Sequence, residues 1–158
     1  MSASWVKQEF NLNDLRILHK LAEHIKVFRN LTPAEISGLL AKAEKCTYQN
    51  GISIIKEGSV GAHMYIIFDG TAVVTKKGSE GEIELARLNA ADSFGEMALA
   101  DREARCATVT AMTTCVLARI EEQTLTRNPA VAMKVYRNIT VLLSERLRKT
   151  DEKLVWQL

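Results

Sequence analysis

The segment FGEMALADREARCATV, Phe94 to Val109, places a Gly-Glu pair at the start of a short helix-forming run and an arginine nine residues after the glutamate. The surrounding chain otherwise reads as β-structure. A helix N-terminus offers unpaired backbone N–H groups and a partial positive charge, which suit an anion such as phosphate. Gly95 lets the backbone approach closely, with no side chain in the way. Arg105 carries a planar guanidinium able to form two parallel hydrogen bonds to phosphate oxygens. Glu96 can accept a hydrogen bond from a hydroxyl beside that phosphate, such as a ribose 2′-OH. Together these residues suit a small anionic sugar phosphate. By spacing alone, surface ion pairing within DREAR and an acidic residue decorating a helix N-terminus account for the same charges.

Outward from this segment the pattern is β-rich. Upstream, CTYQNGISIIKEG reads as strand, Asn50-Gly51 turn, strand. HMYIIFDGTAVVTKKG repeats the scheme around Asp69-Gly70, and EIELARL follows a further turn at Gly78 and Gly81. Downstream, ATVTAMTTCVLARI supplies two more β-rich runs. Short strands at even spacing with glycine turns predict an α+β protein built on a small antiparallel β-barrel or jelly roll.

Helices flank the strands. Asn13 is placed to cap a helix from Asp14 to about Phe28, with Leu15, Leu18, Leu21, Ala22, Ile25 and Phe28 on one face. Thr32, Pro33 and Glu35 form a capping box with proline at the first helical position, opening a helix that buries Ile36, Leu39, Leu40 and Ala43. EEQTLTRN predicts a short helix, and Pro129 opens another running from Ala130 to Lys153, about 36 Å at ~1.5 Å per residue. That length exceeds a lid on a small barrel. Val135, Ile139 and Leu142 form a stripe for packing on the barrel. Leu143, Leu147, Thr150 and Leu154 form a short coiled-coil-like seam, which predicts a homodimer, with an intramolecular neighbour as the alternative second surface.

Composition sets the class. The 158 residues are 47% hydrophobic and 25% charged with a net charge of +2, as in an ordinary soluble globular domain and not a nucleic-acid coat. Cys46, Cys106 and Cys115 lack C-x-x-C spacing, which favours free thiols in a reducing compartment. Neither a signal peptide nor a membrane-spanning run is visible, so a cytoplasmic protein is expected. His19, His24 and His63 do not make a metal-ligand pattern, and no nucleophile–base pair stands out, so a cupin-like metal enzyme is disfavoured.

The full segment resembles the phosphate-binding cassette of cyclic-nucleotide-binding domains, as in the catabolite activator family, protein kinase regulatory subunits and cyclic-nucleotide-gated channels. The match lies at Phe94, Gly95, Glu96, Ala98 and Leu99 and again at Arg105, Ala107, Thr108 and Val109. The resemblance implies a non-catalytic regulatory module without a cofactor, whose ligand is cAMP or, second, cGMP. Its implied ligand-binding set is Phe94, Gly95, Glu96, Met97, Ala98, Leu99, Arg105, Cys106, Ala107, Thr150 and Asp151. Arg105 would pair with the cyclic phosphate, beside backbone amides around Ala98 and Leu99. Glu96 would hold the ribose 2′-OH, with Gly95 giving it room. Cys106 departs from the family's Ala, Ser or Thr and reads equally as a small buried filler. RLRKTDEKL, residues 146–154, is similar to the dimer helix of the catabolite activator family. Thr150 would there reach adenine and Asp151 the nucleotide of a facing protomer, although Thr150 also fits as a polar seam residue.

The expected organisation is an N-terminal helical segment at 1–30, a nucleotide-binding barrel at 31–128 with its cassette at 94–109, and a C-terminal dimerisation or lid helix at 129–158. Output would pass through that helix to a downstream protein. No helix-turn-helix follows it, and Arg146, Arg148, Lys149 and Lys153 alternate with Glu145, Asp151 and Glu152 as a mixed solvated face rather than a DNA footprint. The N-terminal helix and the absence of a linker favour a stand-alone sensor as the expectation. The alternative is the ligand-sensing part of a Crp/Fnr-like transcription regulator. A retained fold that binds no nucleotide is a further possibility.

Overall fold

The computed structural model describes residues 5–8, 10, 19, 20 and 22–157. Among them the strands are β1 (Trp5–Gln8), β2 (Glu44–Tyr48), β3 (Ser53–Ile55), β4 (His63–Asp69), β5 (Ala72–Gly78), β6 (Gly81–Leu88), β7 (Ser93–Phe94), β8 (Thr108–Ala111) and β9 (Cys115–Glu121). The helices are α1 (Pro33–Leu40), α2 (Met97–Asp101), α3 (Glu122–Thr126) and α4 (Pro129–Trp156), with a 3-10 turn at Lys26–Phe28.

The strands form a two-sheet jelly roll. One sheet has the order β1-β2-β9-β4-β7 and the other β3-β8-β5-β6, and the pairs are antiparallel. The barrel alternative is thereby corrected, because the sheets face each other without closing. The Asn50-Gly51 turn likewise does not make a hairpin. It carries the chain from β2, paired with β9, to β3, paired with β8 in the opposite sheet. Among the described residues, only Gly78 and Gly81 close a glycine-turn hairpin in register, between β5 and β6. A turn signal identifies a reversal of the chain, and the burial of the next strand decides which sheet it joins.

Period-two alternation builds two cores on either side of the larger sheet. Tyr65 and Ile67 of β4, with Cys115 and Leu117 of β9, face the opposite sheet and meet Ile55, Ala72 and Val109. Met64 and Ile66, with Ala118 and Ile120, face the helices and meet Leu40, Val131, Val135 and Ile139. β4 and β9 are thus covered on both faces, which is why they are the central strands.

Thr32 and Glu35 make the capping box, the Thr32 hydroxyl accepting from the Glu35 amide at 3.2 Å and the Glu35 carboxylate from the Thr32 amide at 2.8 Å. Glu35 also receives the Lys134 ammonium at 2.9 Å, tying α1 to α4. Asn128 caps α4, accepting from the Val131 amide. The buried Asn138 donates to Val27 O at 3.0 Å and Arg29 O at 2.7 Å, fastening α4 to the 3-10 turn.

The first helix expected from Asp14 falls mostly on residues outside those described. Its described part is helical at His19, Lys20 and Ala22, but it gives way to the 3-10 turn and does not run on to Phe28. Strand β1, paired with β2, adds a strand to the segment expected to be helical. No described helix is long and apolar enough to cross a membrane.

Candidate functional site

The cassette-like segment 94–109 begins where β7 ends. Phe94 stacks on Tyr65 of the neighbouring β4, with ring centroids 5.1 Å apart, and this fixes the exit of the strand. Gly95 follows at φ +77°, and a Cβ there would lie 2.8 Å from Arg105 Nη1 and 3.0 Å from Ile55 Cδ1. Any side chain would occupy the space of the guanidinium, so glycine is required by conformation and by volume. Five-residue α2 follows, and Arg102 ends it in the left-handed conformation at φ +56°.

Arg105 is clamped along its whole length. Its amide donates to Ser59 O and its carbonyl accepts from the Gly58 amide, both at 2.8 Å. Nη1 donates to Gly95 O and Nη2 to His63 O, both at 2.7 Å. These bonds use two of its five N–H groups and fix the guanidinium plane. Burial pushes the Arg105 guanidinium below its ordinary value, against the opposing pull of Tyr65 and Glu96. Behind it, Arg119 bonds Glu44 at 2.8 Å and His63 Nδ1 at 3.4 Å. Arg119 can only donate, so Nδ1 accepts, and His63 Nε2 carries the proton toward the Tyr65 hydroxyl at 3.3 Å. Burial, then the charges of Arg119 and Arg105, lower the His63 pKa to about 4.

Glu96 is 2% exposed. Its Oε1 accepts from Arg146 Nη1 of α4, and Arg146 Nη2 donates to Ser93 O at 2.7 Å. The other oxygen, Oε2, is buried without a hydrogen-bond partner. Burial pushes the Glu96 carboxyl above its ordinary value, with the Arg146 charge opposing the shift. An unpaired buried acceptor costs roughly 1–3 kcal/mol. Glu96 is therefore a half-satisfied carboxylate between the cassette and α4.

These residues surround a cavity of about 460 Å³ between the cassette, the smaller sheet and α4. Phe94, Gly95, Glu96, Met97, Ala98, Arg105, Cys106, Ala107 and Thr150, of the residues implied to bind ligand, line it. Leu99 does not: its side chain packs in the helical core and its amide donates to Glu96 O at 3.1 Å. Asp151 is exposed and off the wall, one residue beyond the face that Thr150 presents. The Thr150 hydroxyl donates to Arg146 O within its own helix. Cys106 is exposed on the wall and is not a buried filler.

Arg146, Lys149 and Lys153 also line the cavity, against their expected place on a solvated face. The signal was available in the spacing: positions 146, 149, 150 and 153 share one helix face with the threonine already assigned to the site. No group of three or more His, Cys, Asp or Glu residues is gathered for a metal among the described residues.

A family model for the cyclic nucleotide-binding domain matches residues 45–127, from β2 through the cassette to the end of α3. The chain belongs to the cyclic nucleotide-binding domain family. Among curated relatives of this cyclic nucleotide-binding domain, the cAMP-dependent protein kinase regulatory subunit of Schizosaccharomyces pombe is 32% identical over 124 residues, 78% of the chain and 29% of that protein. The domain thus spans less than a third of that relative. Its fold matches a cyclic nucleotide-binding domain from Methylobacillus flagellatus at a TM-score of 0.85 and 20% identity, over 98% of this chain and 89% of the other. The regulatory domain of Toxoplasma gondii PKA with cAMP matches at a TM-score of 0.73 and 25% identity, over 84% of this chain and 51% of that one.

Proposed function

We propose that the domain is a non-catalytic cAMP sensor, and the observation that carries this is the pairing of a clamped Arg105 with the unsatisfied Glu96 Oε2 on one cavity wall. The remaining N–H groups of Arg105 meet the cyclic phosphate in a buried, weakly screened setting. The ribose 2′-OH donates to Glu96 Oε2 and completes the carboxylate. Thr150 sits over the base. The assignment to cAMP leans on the names of the relatives, with cGMP as the comparator.

Glu96 then bridges ligand and α4, because its other oxygen already holds Arg146. Ligand binding strengthens the hold on α4 through that carboxylate, which gives the two sites a differential interaction to couple through. In this account residues 31–128 hold the ligand, with the cassette at 94–109, and 129–158 form the output helix. Its distal end exposes Leu147 and Leu154 at 62% and 56%, the unburied part of the seam that a second copy would cover. Sedimentation velocity tests the dimer, which Leu147→Lys is expected to dissociate.

Titration calorimetry of nucleotide-stripped protein tests the function. Saturable binding of cAMP is expected, with affinity falling at least ~100-fold in Arg105→Ala, about 2.7 kcal/mol at ~1.4 kcal/mol per tenfold. Arg105→Lys keeps the charge but not the fork, and an intermediate loss is expected. No heat with cAMP or cGMP from folded, empty protein would refute the sensor.

A further inference from the structure

We propose that Cys106 is a thiol-modification site that gates the nucleotide cavity: a low-molecular-weight anionic disulfide forms a mixed disulfide with it and excludes the nucleotide. The inference rests on the cavity being the nucleotide site. Of the three free cysteines, Cys46 and Cys115 are wholly buried, and only Cys106 is exposed. It lies on the cavity wall, next in sequence to Arg105, with Met97 Sδ 3.9 Å from its sulfur. The buried, unpartnered Glu96 Oε2 independently marks the same cavity as space for a ligand.

Size and charge select the reagent. A cavity of about 460 Å³ lies toward the small end of ligand pockets and holds one small molecule, so an adduct at Cys106 and a nucleotide compete for the same volume. Arg105, Arg146, Lys149 and Lys153 line it against the carboxylates of Glu96, Asp101 and Glu103, Glu96 being already paired with Arg146, and this small positive balance favours an anionic disulfide over a neutral one. Reactive cysteines occupy such electropositive, partly exposed surroundings.

The chemistry is thiol–disulfide exchange. The Cys106 thiolate attacks one sulfur of the reagent, a new Sγ–S bond forms and the reagent's S–S bond breaks. The other half leaves as a thiolate and takes up the proton that Cys106 lost. Excess thiol reverses the exchange, so the gate opens again under reducing conditions.

The test treats the reduced full chain with glutathione disulfide and reads adduct position by mass spectrometry and cAMP affinity by calorimetry. One adduct is expected, at Cys106, with affinity reduced more than tenfold and restored by dithiothreitol. Saturating cAMP should slow adduct formation more than tenfold. Cys106→Ala should bind cAMP identically before and after treatment. No adduct at Cys106, or a stoichiometric adduct with unchanged affinity, would overturn the gate alone. Loss of the far-UV circular dichroism on modification would also overturn it, because unfolding would then explain the lost binding. Reduced protein that binds neither nucleotide would refute the nucleotide site itself, and the gate with it.

Discussion

The cassette and the distal half of α4 face each other across one cavity, yet they are held in opposite ways. Arg105 is tied by its amide, its carbonyl and two guanidinium bonds to turns and strands of the sheet frame. The proximal half of α4 is likewise anchored, with Val131, Val135, Ile139 and Leu142 in the core. Beyond Leu143 the helix exposes Leu147, Leu154, Val155 and Trp156, and Arg146 links it to the cassette. In the proposed function the rigid side would recognise the ligand and the lightly held side would report it.

The sharpest contrast lies within α4 itself. Ile139→Ala is expected to cost ~3 kcal/mol, as large-to-small changes do in cores, whereas Val155→Ala at the exposed end should stay within ~0.5 kcal/mol. Urea denaturation measures both, and equal costs would break the division of the helix into anchored and free halves. Next in size is Gly95→Ala, expected to cost ~1–3 kcal/mol from the left-handed backbone and to weaken cAMP binding by displacing the Arg105 guanidinium. Unchanged affinity there would show that the guanidinium position is not critical.

Arg146→Ala should cost ~1–3 kcal/mol of stability, because the buried Glu96 carboxylate loses its salt-bridge partner, and should weaken cAMP about tenfold, ~1.4 kcal/mol. Unaltered affinity by calorimetry would make that ion pair incidental.

A further effect is pH-dependent. His63, packed between Arg119 and Arg105 with Glu44 and Tyr65 beside it, has its pKa lowered from 6.5 to about 4. The unfolded chain therefore binds the proton first as pH falls. Its contribution to stability is fully present above pH 6.5 and is lost as pH falls through about 4. The urea midpoint should decline over that window, with a shallower decline in His63→Gln. An equal slope in that variant would move the effect to another group.

Much of this was legible in the sequence because it is local. The capping box at Thr32, the helix start at Pro129 and the cassette from Phe94 to Val109 each depend on neighbours within a few residues. The pairing of β2 with β9 was not legible, because a turn residue such as Gly51 signals a reversal but carries no information about the distant partner. Arg146 was missed for a related reason. A basic residue in a charged helix reads as solvated until the fold brings Glu96, fifty positions away, against it. Met64 and Tyr65 showed the same ambiguity, since an apolar run does not reveal that its alternate members serve two different cores.

The central claim is that a nucleotide held by Arg105 and Glu96 is felt by α4 through Arg146. Amide hydrogen exchange with and without saturating cAMP, in wild type and Arg146→Ala, measures it directly. Protection is expected in the cassette of both proteins, with added protection over residues 143–156 in the wild type alone. Protection of the cassette with no change in α4, or the same change in α4 without Arg146, would contradict the account.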